Sequence, residues 1–260
     1  MIPLTQILQL SKKLKTNTTV VAREYLQLLF LQSFYELNSA EKIFFKGGTA
    51  IHFLMDGFRF SEDLDFTVQT SKTKVNDLAL ETIEKMQKTL VGLTIKEKKT
   101  LAGKTYLLTL TKGLVDFPIF VRLDFSFREK TLQPQKSIIK TRFPIIFTSF
   151  VYHLGTEEIL AEKTRAILTR DKGRDLFDFW FLLKKGFHLR KNFIKAKMSY
   201  YPKITFSWKK VLDRINNFDF VAFKSDLMPF ISLDKKAKIK ETFEIIKMEL
   251  SEEIKKIMEK

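Results

Sequence analysis

Residues 45–68 read FKGGTAIHFLMDGFRFSEDLDFTV. A short apolar segment at 42–45 runs into Gly47-Gly48-Thr49 and then into the apolar stretch 49–55, the pattern of a strand turning into a helix. Glycines at such a turn let backbone N–H groups and the helix N-terminus approach a phosphate, with the Thr49 hydroxyl as an added donor. No Gly-Lys-Ser/Thr follows, so the turn is not a Walker loop. Further along, Asp63 and Asp65 alternate with Leu64, Phe66 and Val68. On a strand over 64–68, a period of two sends both carboxylates to one face and the apolar side chains to the other. Side-by-side carboxylates repel each other unless a cation sits between them. Oxygen-only ligation favours a hard ion such as Mg²⁺ over zinc.

A third acid fits the same logic. Residues 118–128, PIFVRLDFSFR, alternate with Ile119, Val121, Leu123, Phe125 and Phe127 on one face and Arg122, Asp124 and Ser126 on the other. Asp124 is the one acid on the polar face. Beside the first strand it completes a site of three metal-binding acids, Asp63, Asp65 and Asp124, able to hold two ions for an in-line displacement at phosphorus. Asp116 is the second candidate for the third acid, since it precedes the Phe117-Pro118 start of the strand.

Composition bounds the class of protein. With 260 residues, 45% of them hydrophobic and 26 of them Phe, the chain has ample material for a core. No apolar run reaches the ~20 residues of a membrane span, and the first residues lack the order of a signal peptide, so a cytoplasmic protein without a membrane partner is expected. Zero cysteines exclude disulfides and thiolate metal sites, and the scattered His52, His153 and His188 offer no zinc cluster. The net charge of +16 points to a polyanionic partner, most simply nucleic acid; an acidic protein is the alternative.

The chain divides by pattern. Helices are expected at 4–14, 20–37 and 75–90, and strands at 93–98, 106–111 and 119–127, giving a mixed sheet flanked by helices, an α/β (α+β) fold. Residues 131–150, with Pro134 and Pro144, read as loop and a further short strand. From Thr156 the pattern becomes helical: Thr156 as N-cap, Glu157 and Glu158 in the first turn, Gly173 as the stop, then a second helix over 174–185. The basic remainder, 190–260, is read as helical. It ends in an apolar stripe of Ile239, Phe243, Ile246, Leu250, Ile254 and Ile257, either core or a surface for a partner helix. The change of pattern sets an expected boundary between a catalytic domain, 1–155, and a helical domain, 156–260.

In the helix after Thr156, Lys163, Ile167 and Arg170 share a face, while Arg165 projects elsewhere. Asp175 and Asp178 share a face within the apolar run DLFDFWFLL, and an unpaired buried carboxylate there would cost several kcal/mol, roughly what breaking a buried ion pair costs. Two readings are open. Lys163, Arg165, Arg170 and Arg174 pair with Asp175 and Asp178 to lock the helices, or Lys163 is a triphosphate clamp and Asp175 orients it or the acceptor hydroxyl.

Together these motifs resemble a family. Gly47-Gly48-Thr49, Arg59-x-Ser61-x-Asp63-Leu-Asp65-Phe, Arg122-Leu-Asp124, EEILAEKTRAILTR from Glu157 and RDLFDFWFLL from Arg174 are similar to the AbiEii nucleotidyltransferase toxins. These belong to the polymerase-β-like nucleotidyltransferase superfamily, act in type IV toxin-antitoxin and phage-defence systems, and include the mycobacterial MenT toxins among their relatives. The resemblance covers about residues 44–183. It implies that Gly47, Gly48 and Thr49 contact the triphosphate of an NTP, that Asp63 and Asp65 carry Mg²⁺, and that Asp124 is the third acid. It further implies that Lys163 and Asp175 match later family motifs, with Arg165 and Arg170 beside the nucleotide. Ser61 falls where a relative has a regulatory serine; a local hydrogen bond at the strand start is the plainer role. The implied reaction is transfer of a nucleoside monophosphate from an NTP, in some members to the tRNA 3′ end, with an antitoxin as cognate partner. Transfer to a small molecule or protein, or a noncatalytic RNA-binding or partner-binding module, are the competing readings.

Overall fold

The computed structural model describes residues 1–100 and 103–259. The chain folds into two compact units, Met1–Leu154 and Gly155–Lys260. The first opens with helices α1 (Leu4–Leu14) and α2 (Thr18–Tyr35), followed by β1 (Ile43–Lys46), α3 (Gly47–Leu54), β2 (Asp63–Val68) and α4 (Lys72–Gln87). Strands β3 (Leu93–Lys98), β4 (Gly103–Leu110), β5 (Ile119–Ser126), β6 (Pro134–Ser137) and β7 (Val151–Leu154) complete it. The seven strands form one mixed sheet in the order β3-β4-β5-β2-β1-β7-β6. The fold is α/β, as the alternation of periods predicts.

The sheet is held by aromatic packing on the face away from the acids. Strand β5 alternates strictly, with Ile119, Val121, Leu123 and Phe125 buried. Phe125 stacks on Phe66 of β2 at 4.8 Å between ring centroids, and Phe34 of α2 closes the cluster at 5.8 Å from Phe66. Helix α2 is buried on most of its circumference, which its apolar sequence requires, since it packs on α1, α4 and the sheet at once. Burying a Phe side chain stabilises by about 1.5–3 kcal/mol, so this cluster is a principal anchor of the sheet. Strand β7, which the pattern of residues 131–150 does not predict, runs parallel to β1 and antiparallel to β6. At four residues it is too short to show a period.

The second unit is helical: α5 (Thr156–Thr169), α6 (Gly173–Lys184), α7 (Lys191–Met198), α8 (Trp208–Asn216), α9 (Phe220–Leu227), α10 (Leu233–Lys236) and α11 (Ile239–Met258). Two local expectations are corrected. The N-cap of α5 is Gly155, not Thr156, and no side chain caps it. Gly173 does not stop α5; it opens α6, and a Cβ there would lie 2.7 Å from the Phe223 Cα of α9, so close helix approach requires glycine. Residues 190–260 are not one continuous helical stretch, since residues 199–207 form a turn-rich connection, and Lys260 lies outside the described residues. Of the α11 stripe, Ile239, Phe243, Ile246, Leu250 and Ile254 are buried against α8, α9 and α6, which makes it core. Sequence reasoning also misses Lys197 of α7, wholly buried and paired with Glu158 at 2.6 Å and Glu162 at 3.0 Å, one turn apart on α5.

Among the described residues, no helix is long and apolar enough to cross a membrane.

Candidate active site

Strand pairing assembles the acids of the first unit. Strands β2 and β5 are parallel, with Asp65 opposite Asp124 and Asp63 opposite Arg122. Parallel partners in register point to the same face, so side-chain period alone brings Asp63, Asp65 and Asp124 onto one patch. Arg122 lies 2.8 Å from Asp124, and the Thr105 hydroxyl of β4 donates to the other Asp124 oxygen. Burial first, then the charges of Asp65, Glu62 and Asp124, partly opposed by Arg122, push the Asp63 carboxyl up to about 6.

That shift has a testable consequence. A carboxyl whose folded pKa is raised contributes stability fully below its unfolded value, near ~4, and loses it as pH rises through about 6. Asp63→Asn removes this loss. Its melting temperature should exceed that of the parent by a few degrees at pH 8, for a gain on the order of 1–2 kcal/mol after allowing for solvent screening, and match it at pH 4. Equal melting curves at both pH values would refute the repulsion.

The turn before α3 stands against these acids. Strand β1 pairs antiparallel with β2, setting Lys46 opposite Asp65. Gly47 has φ +79°, and a Cβ on it would lie 2.4 Å from Asp65 Oδ2. A Cβ on Gly48 would lie 2.1 Å from Arg59 Nη2. The positive φ calls for glycine at 47, while at 48 a side chain would have to displace the end of the buried Arg59. Thr49, 1% exposed, donates its hydroxyl to the Asp63 carbonyl and ties helix to strand. The first backbone N–H groups of α3 have no acceptor within the helix. Ser61 is tied through its carbonyl, which accepts from Gln27 at 3.1 Å. Asp116 lies in the loop before β5, outside the Asp63, Asp65 and Asp124 patch.

Among the described residues no three acids or histidines form a ready-made metal cage. The donor set nevertheless fits a hard divalent ion. Its three carboxylates share a face by strand register, and the repulsion that raises Asp63 is what a cation would remove. Three contributors escape a reading of the sequence. Arg59 belongs to the motif before Asp63, but nothing local shows that it reaches Gly48. Arg122 is visible only as a polar-face residue, and Thr105 faces Asp124 through a β4–β5 register that no local pattern encodes.

The second unit holds the remaining candidates. Lys163 lies 2.8 Å from Asp175 and 2.7 Å from Asp178, and Arg170 forks onto Asp175 at 2.6 and 3.0 Å. Burial alone would raise Asp175, but the charge of Lys163 and the hydrogen bonds and charge of Arg170 outweigh it and hold the carboxyl well below the usual range. Arg165 stacks over the Tyr201 ring at 4.7 Å. Arg174 pairs with Asp226 at 3.3 Å and lies over the Phe230 ring at 4.5 Å.

Comparison with known proteins identifies the family. The family model described as "Nucleotidyl transferase AbiEii toxin, Type IV TA system" matches residues 29–252. Among solved structures, MenT4, a nucleotidyltransferase toxin from Mycobacterium tuberculosis H37Rv, is similar with a TM-score of 0.61 and 16% identity, covering 95% of this chain and 90% of its own. JHP933 from Helicobacter pylori is similar with a TM-score of 0.54 and 20% identity, covering 92% of this chain and 95% of its own. At such identities these two likenesses establish the fold. No curated protein sequence matches the chain. The match over most of the sequence carries the assignment: the chain belongs to the AbiEii nucleotidyl transferase toxin family of type IV toxin-antitoxin systems.

Proposed function

We propose that the chain transfers a nucleoside monophosphate from an NTP to an RNA 3′-hydroxyl, most simply that of tRNA, and so blocks translation in the cytoplasm unless its antitoxin intervenes. The observation that carries this reading is the register of β2 on β5, which sets three acids on one face beside the glycine turn of α3. Asp63 and Asp65 would hold Mg²⁺, with Asp124 as third ligand. When bound, the ions neutralise charge on the α-phosphate and on the departing pyrophosphate. The N–H groups after Gly47 would bind phosphate oxygens, with the Arg59 guanidinium beside Gly48 adding positive charge. Asp124 would take the proton of the attacking hydroxyl; Thr105 and Arg122 hold its carboxylate in place. The P–O bond to the new 3′-oxygen forms as the bond to pyrophosphate breaks.

In the helical domain, Lys163 would clamp the triphosphate, with Asp175 orienting it, Asp178 holding the same ammonium and Arg165 and Arg170 flanking. The net charge of +16 supports an RNA acceptor over a small cationic one, which would prefer an acidic cleft.

The test is incubation with Mg²⁺, total tRNA and each α-³²P-labelled NTP in turn, followed by a denaturing gel. Label on tRNA with one NTP, absent for Asp65→Ala, is the expected result. Label that stays off RNA and moves to a protein or small molecule would overturn the acceptor assignment.

A further inference from the structure

Between Asp178 and Asp213 the chain carries no Asp or Glu at all, while Lys and Arg recur throughout. In a protein with 30 acids, a gap of this length is a strong local bias. The segment is also rich in aromatic rings, including Phe193, Tyr200, Phe206 and Trp208.

The fold concentrates these residues. Ile194 and Met198 of α7 are buried against Ala161 of α5, and Phe193, Ile204, Phe206 and Trp208 pack partly buried around the same cluster. The α7 helix, the 199–207 connection and the start of α8 thus lie together on α5. Their apolar atoms point inward and their lysines outward. Lys191, Lys195, Lys203, Lys209 and Lys210 are all exposed, and none forms an ion pair among the described residues. Phe206 and Trp208 meet edge to face at 4.9 Å and each keeps part of its surface in solvent. Cations paired elsewhere show the contrast: Lys197 is buried between two acids and Arg190 holds Glu157.

We infer that this surface of α7, the 199–207 connection and the first turn of α8 binds the phosphate backbone of the RNA acceptor, with unpaired bases against the Trp208 ring. Unpaired lysines on two packed helices and their connection give sequence-tolerant, salt-dependent attraction to phosphates, and partly exposed rings give bases a face to stack on. The inference rests on the RNA-acceptor reading and extends it from a reaction to a docking surface. An acidic protein would meet the lysines but would not stack flat on the partly exposed Trp208 ring as a base does.

The test is fluorescence anisotropy with fluorescein-labelled single-stranded RNA, titrated at several salt concentrations. The Asp65→Ala protein serves as background, so binding is read without transfer. Lys203→Glu/Lys209→Glu/Lys210→Glu should weaken Kd at least tenfold and reduce the slope of log K against log salt by about two, with a melting temperature within about 2 °C of the parent. Lys88→Glu/Lys98→Glu/Lys99→Glu alters the first unit by the same charge and should shift Kd by less than about threefold. Equal weakening by both variants would reduce the surface to bulk charge and overturn the inference, as would unchanged binding by the first. Loss of binding to an acidic protein, with RNA binding intact, would overturn it too. Failure of wild-type protein to label RNA would count against the acceptor reading alone, because binding is measured separately.

Discussion

Asp65→Ala is expected to lower nucleotidyl transfer on the order of a thousandfold or more while the protein stays folded and melts at the same temperature or higher. Asp65 sits in register with Asp124, two residues from Asp63, and against the Gly47 backbone. On the proposed reading, its loss removes the acid that stands between the Mg²⁺ ligands and the phosphate-binding turn. Stability moves the other way, because deleting one of several repelling carboxylates relieves Asp63. Mn²⁺ binding followed by electron paramagnetic resonance gives a readout apart from turnover and should weaken in parallel. Retained activity with retained Mn²⁺ binding would refute the metal-site assignment.

The second large effect is expected on stability. Lys163→Ala leaves Asp178 without the ammonium at 2.7 Å and leaves Asp175 paired with the largely exposed Arg170, with both carboxylates buried between the helices. Removing one partner of a buried ion pair costs about 3–5 kcal/mol, so the melting temperature at neutral pH should fall by about 10 °C or more. The pH dependence follows from the sign of the shift. In the parent, Asp175 is held low, so its stabilisation is present above ~4 and lost only as pH falls through the lowered value. In the variant Asp175 keeps Arg170 but loses the Lys163 charge, so its carboxyl is held less low. The gap between parent and variant should therefore be widest at neutral pH and narrow only as pH falls below ~4. A constant gap would refute the account. Below its melting range, a raised KM for NTP would support the clamp, whereas an unchanged KM would leave Lys163 a helix lock alone.

Much of this molecule is legible in its residues, and the reasons differ from place to place. Alternation in 118–128 predicts both the strand and the polar side of Asp124, because one face of β5 packs on Phe34 and Phe66. The α11 stripe predicts a buried face because 3.6-residue periodicity survives along the whole helix. Where the signal fails, it fails for short or permissive elements. Strand β7 has four residues, and Gly155, at the N-cap of α5, offers no side chain to mark the cap.

Local period and composition are enough to show that acids alternate with apolar residues on two strands, that a glycine turn precedes a helix, and that basic residues crowd an acid-free stretch. Neighbouring residues encode each of these. Folding in three dimensions was needed to set Asp65 opposite Asp124, to bring Thr105 and Arg122 onto that carboxylate, to place Gly48 under Arg59, and to share Lys163 between Asp175 and Asp178. All but the Gly48–Arg59 approach, which rests on the fold of the loop after α3, depend on strand register or on helix-to-helix packing. Both are chosen by the fit of distant apolar faces, and that fit leaves no mark in the residues beside each charge.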